Sequence, residues 1–208
     1  MQRVDALKTL SGLTTADDLF TSAVGIIWDD WWNYRPGGVD NTFSPAAIGS
    51  VSALALGLAI ARPNRRVIAL DTDGSLLMNT GILCTLGAER PSNLTILVLD
   101  NGIYESIGGP LSLTSFNTDL AAMATGAGCT NCVTVDDIQA FETEVSRLLD
   151  DDEFGLLVAK IEPGINRWAW HERKPTDGVE DKYRFLRRME RQEGIVIHPG
   201  APQSHVSE

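Results

Sequence analysis

Five short stretches of the chain carry apolar side chains with little alternation: Ala23 to Trp28, Val67 to Leu70, Leu94 to Leu99, Cys132 to Val135 and Leu156 to Ile161. Runs of this length without a two-residue period suit strands buried on both faces, as in a parallel sheet covered by helices. Helical patterns lie between them. Pro45 to Ala61 is rich in Ala and Leu and stops at Arg62-Pro63, and Ser75 to Arg90 stops before Pro91. Asp119 to Gly128 and Asp136 to Leu149 follow, the latter opening on Asp136-Asp137, a good N-terminal signal. Strands alternating with helices predict an α/β fold, an open and mostly parallel sheet with helices on both faces and right-handed crossovers. After Pro163 the pattern changes to a charged helix over Asp181 to Glu193 and a loose tail from Ile195 to Glu208. Residues 1–193 are expected to form a single domain and residues 194–208 a flexible tail. In the first helical segment Gly49, Ala53, Gly57 and Ala61 recur at every fourth position, a smooth stripe read as tight helix–sheet packing.

Composition narrows the function classes. A chain of 208 residues with 43% hydrophobic content can bury one substantial core. The net charge is −11 with only 17 basic residues and no basic stripe, which argues against a nucleic-acid partner. No apolar run approaches the roughly 18 residues of a membrane span. The start MQRVDALKTL lacks the apolar segment of a signal peptide, and three cysteines fit a reducing compartment. The expectation is a cytoplasmic protein without membrane association.

The chemistry concentrates where an apolar run ends in carboxylates. Val67 to Leu70 leads into Asp71-Thr72-Asp73-Gly74-Ser75-Leu76-Leu77-Met78-Asn79. Buried acids are costly unless something positive pairs with them. In an open parallel sheet, ligands sit beyond the carboxyl ends of the strands. A following helix offers free N–H groups, Gly74 permits close backbone approach, and Ser75 adds a hydroxyl, an assembly suited to phosphate oxygens. Carboxylates beside a phosphate call for a cation between them, and Mg²⁺ takes six oxygens from protein, phosphate and water. A second strand end, Leu94 to Leu99 followed by Asp100-Asn101-Gly102-Ile103-Tyr104, can supply an amide oxygen and main-chain carbonyls to the same ion.

These two segments together resemble the thiamine-diphosphate signature, in which a GDG element is followed at a set distance by NN. The longer stretches Asp71 to Asn79 and Leu99 to Gly109 are similar to the β subunit of sulfopyruvate decarboxylase and the matching domain of phosphonopyruvate decarboxylase. The likeness runs from about Gly25 to Ile161, with a fainter echo in Lys182-Tyr183-Arg184-Phe185-Leu186-Arg187. The resemblance implies that Asp73, the Asn101 side chain and the Ile103 carbonyl bind Mg²⁺, and that Gly74 and Ser75 cradle the diphosphate. It implies further that Ile48-Gly49-Ser50-Val51 matches a GSM or GSI element. There the Gly49 carbonyl would meet the cofactor's 4′-amino group, Ser50 would lie beside the diphosphate, and Val51 would be the wedge that bends the cofactor. Tyr104 is carried with this cofactor set; it and Glu105 stand just past the second turn, where facing the cofactor and facing solvent are equally open. Four departures stand out: Thr72 for the first glycine of GDG, Asp100 for the first asparagine of NN, the small Val51, and Gly108-Gly109-Pro110-Leu111-Ser112-Leu113 in place of GGQPTH. The last predicts that the Ile107 to Phe116 loop favours a less strongly anionic substrate than sulfopyruvate.

In this family a glutamate on a separate pyrimidine-binding domain activates the cofactor. Fewer than fifty residues precede Gly49, too few for such a domain. The chain is therefore expected to be the diphosphate-binding half. The activating glutamate would come from a pyrimidine-binding, α-type subunit in an α2β2 or higher heteromer acting on a small 2-oxo acid. Three alternatives accompany this expectation: an acetolactate-synthase-like carboligase or lyase subunit, a non-catalytic subunit, and a haloacid-dehalogenase-type phosphatase. In the last, DTDGS would supply Asp71 as nucleophile and Asp73 as acid. Other features take plainer readings. Cys129-Thr130-Asn131-Cys132 lacks further zinc ligands and is read as ordinary buried cysteine. Asp150-Asp151-Asp152 is read as solvated. Trp28-Asp29-Asp30-Trp31-Trp32 is read either as the pocket mouth or partner surface, or as a cap over the core. Trp168, Trp170 and His171 pose the same choice, with a structural or solvated role favoured for His171.

Overall fold

The structure, a computed structural model, describes residues 1–35, 40–165 and 177–197. Its frame is one sheet of six parallel strands: β1 (Leu19–Ser22), β2 (Thr42–Phe43), β3 (Val67–Thr72), β4 (Leu94–Asp100), β5 (Cys132–Val135) and β6 (Gly155–Lys160). Their order across the sheet is β2-β1-β3-β4-β6-β5. The central strands are the apolar runs, and every residue of β4 is buried. Thr72 pairs in register with Leu99, so β3 and β4 end side by side.

The connections are helical: α1 (Arg3–Leu13), α2 (Ile26–Tyr34), α3 (Val51–Ala61), α4 (Asp73–Leu77), α5 (Ile82–Glu89), α6 (Leu120–Gly126), α7 (Ile138–Asp150) and α8 (Gly178–Glu193). Because the chain steps one way from β1 to β2 and the other way from β2 to β3 and on to β4, right-handed crossovers place helices on both faces. Accordingly α1 packs on α2 and α7, while α3 packs on α5 and α5 on α6. Asp119 and Asp137 cap α6 and α7, each side chain accepting a backbone N–H three residues on.

Several expectations need correction. The run Ala23 to Trp28 is not a strand: β1 lies just before it, and Gly25, at φ +93°, turns the chain into α2. A continuous apolar run fits a buried helix as well as a buried strand. The first long helix starts at Val51 rather than Pro45, because Ala46 and Gly49 both take positive φ. The segment Ser75 to Arg90 is two helices, broken between Leu77 and Ile82. The small-residue stripe does not face the sheet. The buried face of α3 is Val51, Ser52, Ala55, Leu56 and Ala59, while Gly57 and Ala61 are exposed. The tryptophan-rich segment is helical, and Trp28 and Trp31 are fully buried core residues, Trp31 donating to the Thr42 hydroxyl at 3.1 Å. Of the expected tail, residues 198–208 lie outside the described residues, as do Trp168, Trp170 and His171.

Candidate functional site

Beyond the carboxyl ends of β1, β3, β4 and β6 the loops enclose a cleft of about 140 Å³. Asp73, Gly74 and Ser75 reach it from β3, and Asn101, Ile103, Tyr104 and Glu105 from β4. Residues distant in sequence thus meet where an open α/β sheet binds ligands. Ile26, Ile27, Ile48 and Met78 give the cleft an apolar side.

The turn after β3 is tightly organised. Thr72, in extended conformation, caps α4, its hydroxyl accepting from the Ser75 N–H at 3.2 Å. A side-chain cap at this position needs an oxygen, which Thr72 supplies and glycine lacks. The Ser75 hydroxyl accepts in turn from the Gly49 N–H at 3.0 Å, tying this turn to the loop before α3. Gly74 is required by space rather than by backbone angle, since a Cβ there would run into the Tyr104 ring.

Asp73 is 1% exposed. Its Oδ2 accepts from the Ser112 hydroxyl at 2.5 Å and the Thr114 hydroxyl at 3.1 Å. Thr114 Oγ1 is also 2.7 Å from Asp100 Oδ1, so it stands between two carboxylates. Burial pushes the Asp73 carboxyl above its ordinary range; the Ser112 hydrogen bond opposes that and the Asp100 charge adds to it. Lys160 forms an ion pair with the other Asp100 oxygen.

The Asn101 side chain donates from Nδ2 to Glu105 Oε2 at 3.1 Å and accepts the Ile103 N–H on Oδ1 at 3.1 Å. Glu105 is paired with Arg3 at 2.9 Å, so Glu105 is anchored rather than solvated. The loop back to Asp73 is held to this turn. Tyr104 N–H donates to the Pro110 carbonyl at 2.8 Å and Ser112 N–H to the Gly102 carbonyl at 2.7 Å.

The Gly49-Ser50-Val51 element is distributed differently from the expectation. The Gly49 carbonyl accepts from Asn79 Nδ2 at 2.9 Å, and the Ser50 hydroxyl donates to the Ala47 carbonyl at 2.6 Å. Val51 is 0% exposed and does not line the cleft, because α3 begins there and turns the side chain into the core. Ile48, in the loop ahead of the helix and 50% exposed, lines the cleft instead.

The donors fit a divalent cation of the hard type. They are a carboxylate, an amide oxygen and main-chain carbonyls, with a second carboxylate close by. Among the described residues no three His, Cys, Asp or Glu side chains cluster as a metal site would need, so neutral oxygens must complete the set. The buried, charge-crowded carboxylate of Asp73 is what a cation would relieve. The cleft is also lined by Gly74, the Ser75 hydroxyl and an apolar wall, which fit a diphosphate carrying an aromatic body.

The phosphatase alternative finds no nucleophile. Asp71 is 1% exposed and outside the cleft, accepting from the Ser52 hydroxyl at 2.6 Å and the Thr72 N–H at 2.9 Å. Cys129 is buried, and Cys132 donates to the Cys129 carbonyl at 3.5 Å, so the CxxC is part of the packing. Arg147 pairs with the exposed Asp151 beyond α7. Sequence reasoning missed Arg3, Ser112, Thr114 and Lys160. None belongs to a local motif, and Arg3 stands 102 positions from the Glu105 it holds.

A single parallel sheet with this oxygen-lined cleft at its carboxyl edge defines a phosphate-cofactor-binding α/β domain. The family described as "Thiamine pyrophosphate enzyme, C-terminal TPP binding domain" matches residues 23–159. The chain belongs to that family. It is 30% identical over 190 residues to sulfopyruvate decarboxylase subunit beta of Methanocaldococcus jannaschii, covering 91% of this chain and 98% of that protein. Over 95 residues it is 44% identical to phosphonopyruvate decarboxylase of Streptomyces viridochromogenes, which is 44% of this chain and 23% of that one. The chain thus spans nearly all of the first relative and about a quarter of the second. Among solved structures, benzoylformate decarboxylase from Polynucleobacter necessarius superposes with a TM-score of 0.68 at 16% identity, over 81% of this chain and 34% of that one.

Proposed function

We propose that the chain is the diphosphate- and Mg²⁺-binding subunit of a heteromeric thiamine-diphosphate-dependent 2-oxo acid decarboxylase. The observation that carries this reading is the meeting of Asp73 and Asn101 in one cleft, at the tips of two strands paired in register. Asp73, Asn101 and the Ile103 carbonyl would hold the ion. Gly74 and Ser75 would receive the diphosphate, with Tyr104 packed against Gly74. The bound cofactor supplies a nucleophilic carbon and an electron sink for loss of CO₂. This chain's residues orient it and exclude water. Ser112 and Thr114 keep the Asp73 carboxylate aimed at the cleft, and the apolar residue offered to the cofactor's bend is Ile48 rather than Val51.

Size and the relatives support a second subunit. A cleft of about 140 Å³ is smaller than the roughly 300–1,000 Å³ of a complete small-molecule site. Among the described residues before Gly49, β1 and β2 belong to the same sheet and no separate sheet is formed. Beta-subunit relatives of nearly equal length support a pyrimidine-binding partner supplying the activating glutamate. Residues 1–193 act as one domain in this account. Among the described residues no helix is long and apolar enough to cross a membrane; a cytoplasmic location is part of this proposal.

The loop beside the cleft carries exposed apolar side chains, of which Ile107 lines the cleft itself. Ile107, Leu111, Leu113 and Phe116 are all exposed on the loop that returns to Asp73. They favour a 2-oxo acid with a less anionic tail than sulfopyruvate. The reading is tested by mixing this chain with a pyrimidine-domain subunit, thiamine diphosphate and Mg²⁺ across a panel of 2-oxo acids. CO₂ release from the mixture and from neither chain alone is expected. An inactive mixture across the panel, or a strong preference for sulfopyruvate, contradicts the general and the finer reading respectively.

A further inference from the structure

We infer that Glu105, anchored by Arg3, is a positioning residue that sets the polarity of the Asn101 amide, turning its oxygen rather than its nitrogen toward the ion. This rests on the proposed metal site. An asparagine amide has nearly the same shape in either orientation, and only its neighbours decide which end points where. Here both neighbours agree. An ionised glutamate only accepts, and Glu105 Oε2 is 3.1 Å from Asn101 Nδ2; the Ile103 N–H only donates, and it is 3.1 Å from Asn101 Oδ1. Reversing the amide would set acceptor against acceptor and donor against donor. It would also aim an N–H group at the cation.

Glu105 is itself held from several sides. Arg3 Nη1 donates to Oε2 at 2.9 Å, and the Gly164 N–H donates to Oε1. Arg3, only 6% exposed, donates from Nε to the buried Asp30 at 2.7 Å and from Nη2 to the Gly164 carbonyl at 2.5 Å. A planar guanidinium, each of whose three nitrogens donates to a different partner, suits such a fixed relay better than an ammonium. The path Asp30–Arg3–Glu105–Asn101 therefore joins α1 and α2 to the turn after β4. Glu105 acts through Asn101, with both of its oxygens engaged inside the fold.

The test reverses the polarity of the pair. In the assembled complex, Mg²⁺-dependent thiamine diphosphate affinity is measured by calorimetry for Glu105→Gln, Asn101→Asp and the double variant. Glu105→Gln loses the one-way acceptor and is expected to weaken binding by about tenfold, the lower end for outer partners of metal ligands. Asn101→Asp sets two carboxylates together and weakens it at least as much. In the double variant the glutamine amide donates to the new carboxylate, and affinity returns to within about threefold of the parent, a rescue that a purely structural ion pair would not give. Should Glu105→Gln fail to assemble, Arg3→Lys, which keeps the charge but not the fork, is expected to weaken binding several-fold. Unchanged affinity in Glu105→Gln or Arg3→Lys overturns the inference, as does a double variant no better than either single one. Asp73→Ala, run alongside, separates the two levels. If it also binds normally the metal site itself is wrong; if it abolishes binding while the Glu105 variants do not weaken it, only the positioning role is wrong.

Discussion

The Ser112 hydroxyl lies 2.5 Å from Asp73 Oδ2, joining two residues 39 positions apart. Both are almost fully buried. A hydrogen bond to a buried charge is worth about 1.5–3 kcal/mol, and here it opposes the burial that pushes the Asp73 carboxyl upward. Ser112→Ala should therefore raise that carboxyl further. The proposed divalent-dependent cofactor binding, in which Asp73 would act ionised, should then be lost at a higher pH than in the parent as the solution is acidified. Affinity measured against pH checks this, and coincident profiles would contradict it.

Asp71 offers a complementary test of stability. Its carboxyl is raised by burial, against hydrogen bonds from Ser52, Ser75 and the backbone. A carboxyl held above its unfolded value of about 3.9 keeps its proton in the folded state after the unfolded chain has lost it. Stability therefore falls as pH rises from the unfolded value through the folded one. Ser52→Ala removes a donor that favours the charged form, so it should extend that fall to higher pH. The expected cost is about 1.5–3 kcal/mol at neutral pH and clearly less near pH 4. Denaturant titrations of the parent and the variant at a series of pH values measure it; an equal penalty at every pH would exclude the mechanism.

Ile48 and Val51 separate site from core. Val51→Ala opens a cavity beneath α3 and should cost about 2 kcal/mol of stability, with cofactor affinity largely kept in the folded complex. Ile48→Ala should do the reverse, with a small change in melting temperature and weaker cofactor binding. The two variants exchanging these effects would restore Val51 as the residue facing the cofactor.

The strands that were legible are those written as unbroken or nearly unbroken apolar runs. Cys132 to Val135 coincides with β5, and the runs at β3, β4 and β6 are placed to within about two residues, within the usual uncertainty of element ends. β1 was obscured because Thr21 and Ser22 break its apolar character. Both are buried with hydroxyls bonded to backbone carbonyls, Thr21 to Val51, a satisfaction visible only in three dimensions. That Asp73, Gly74, Ser75 and Asn101 share one cleft was legible because strand-end placement is local. Arg3, Ser112, Thr114 and Lys160 were not, because each reaches the site through a partner that the fold brings near. The side-chain directions of the Gly49 element were not legible for a related reason. Which of Ile48 and Val51 faces the cleft depends on where α3 starts, and the positive φ values of Ala46 and Gly49 delay that start.

The most direct measurement is calorimetry of thiamine diphosphate binding to the assembled complex, with and without Mg²⁺, for the parent and Asp73→Ala. The account predicts Mg²⁺-dependent binding in the parent and its loss in the variant, with the complex still folded. Equal affinity in the two proteins, or binding indifferent to Mg²⁺, would contradict it.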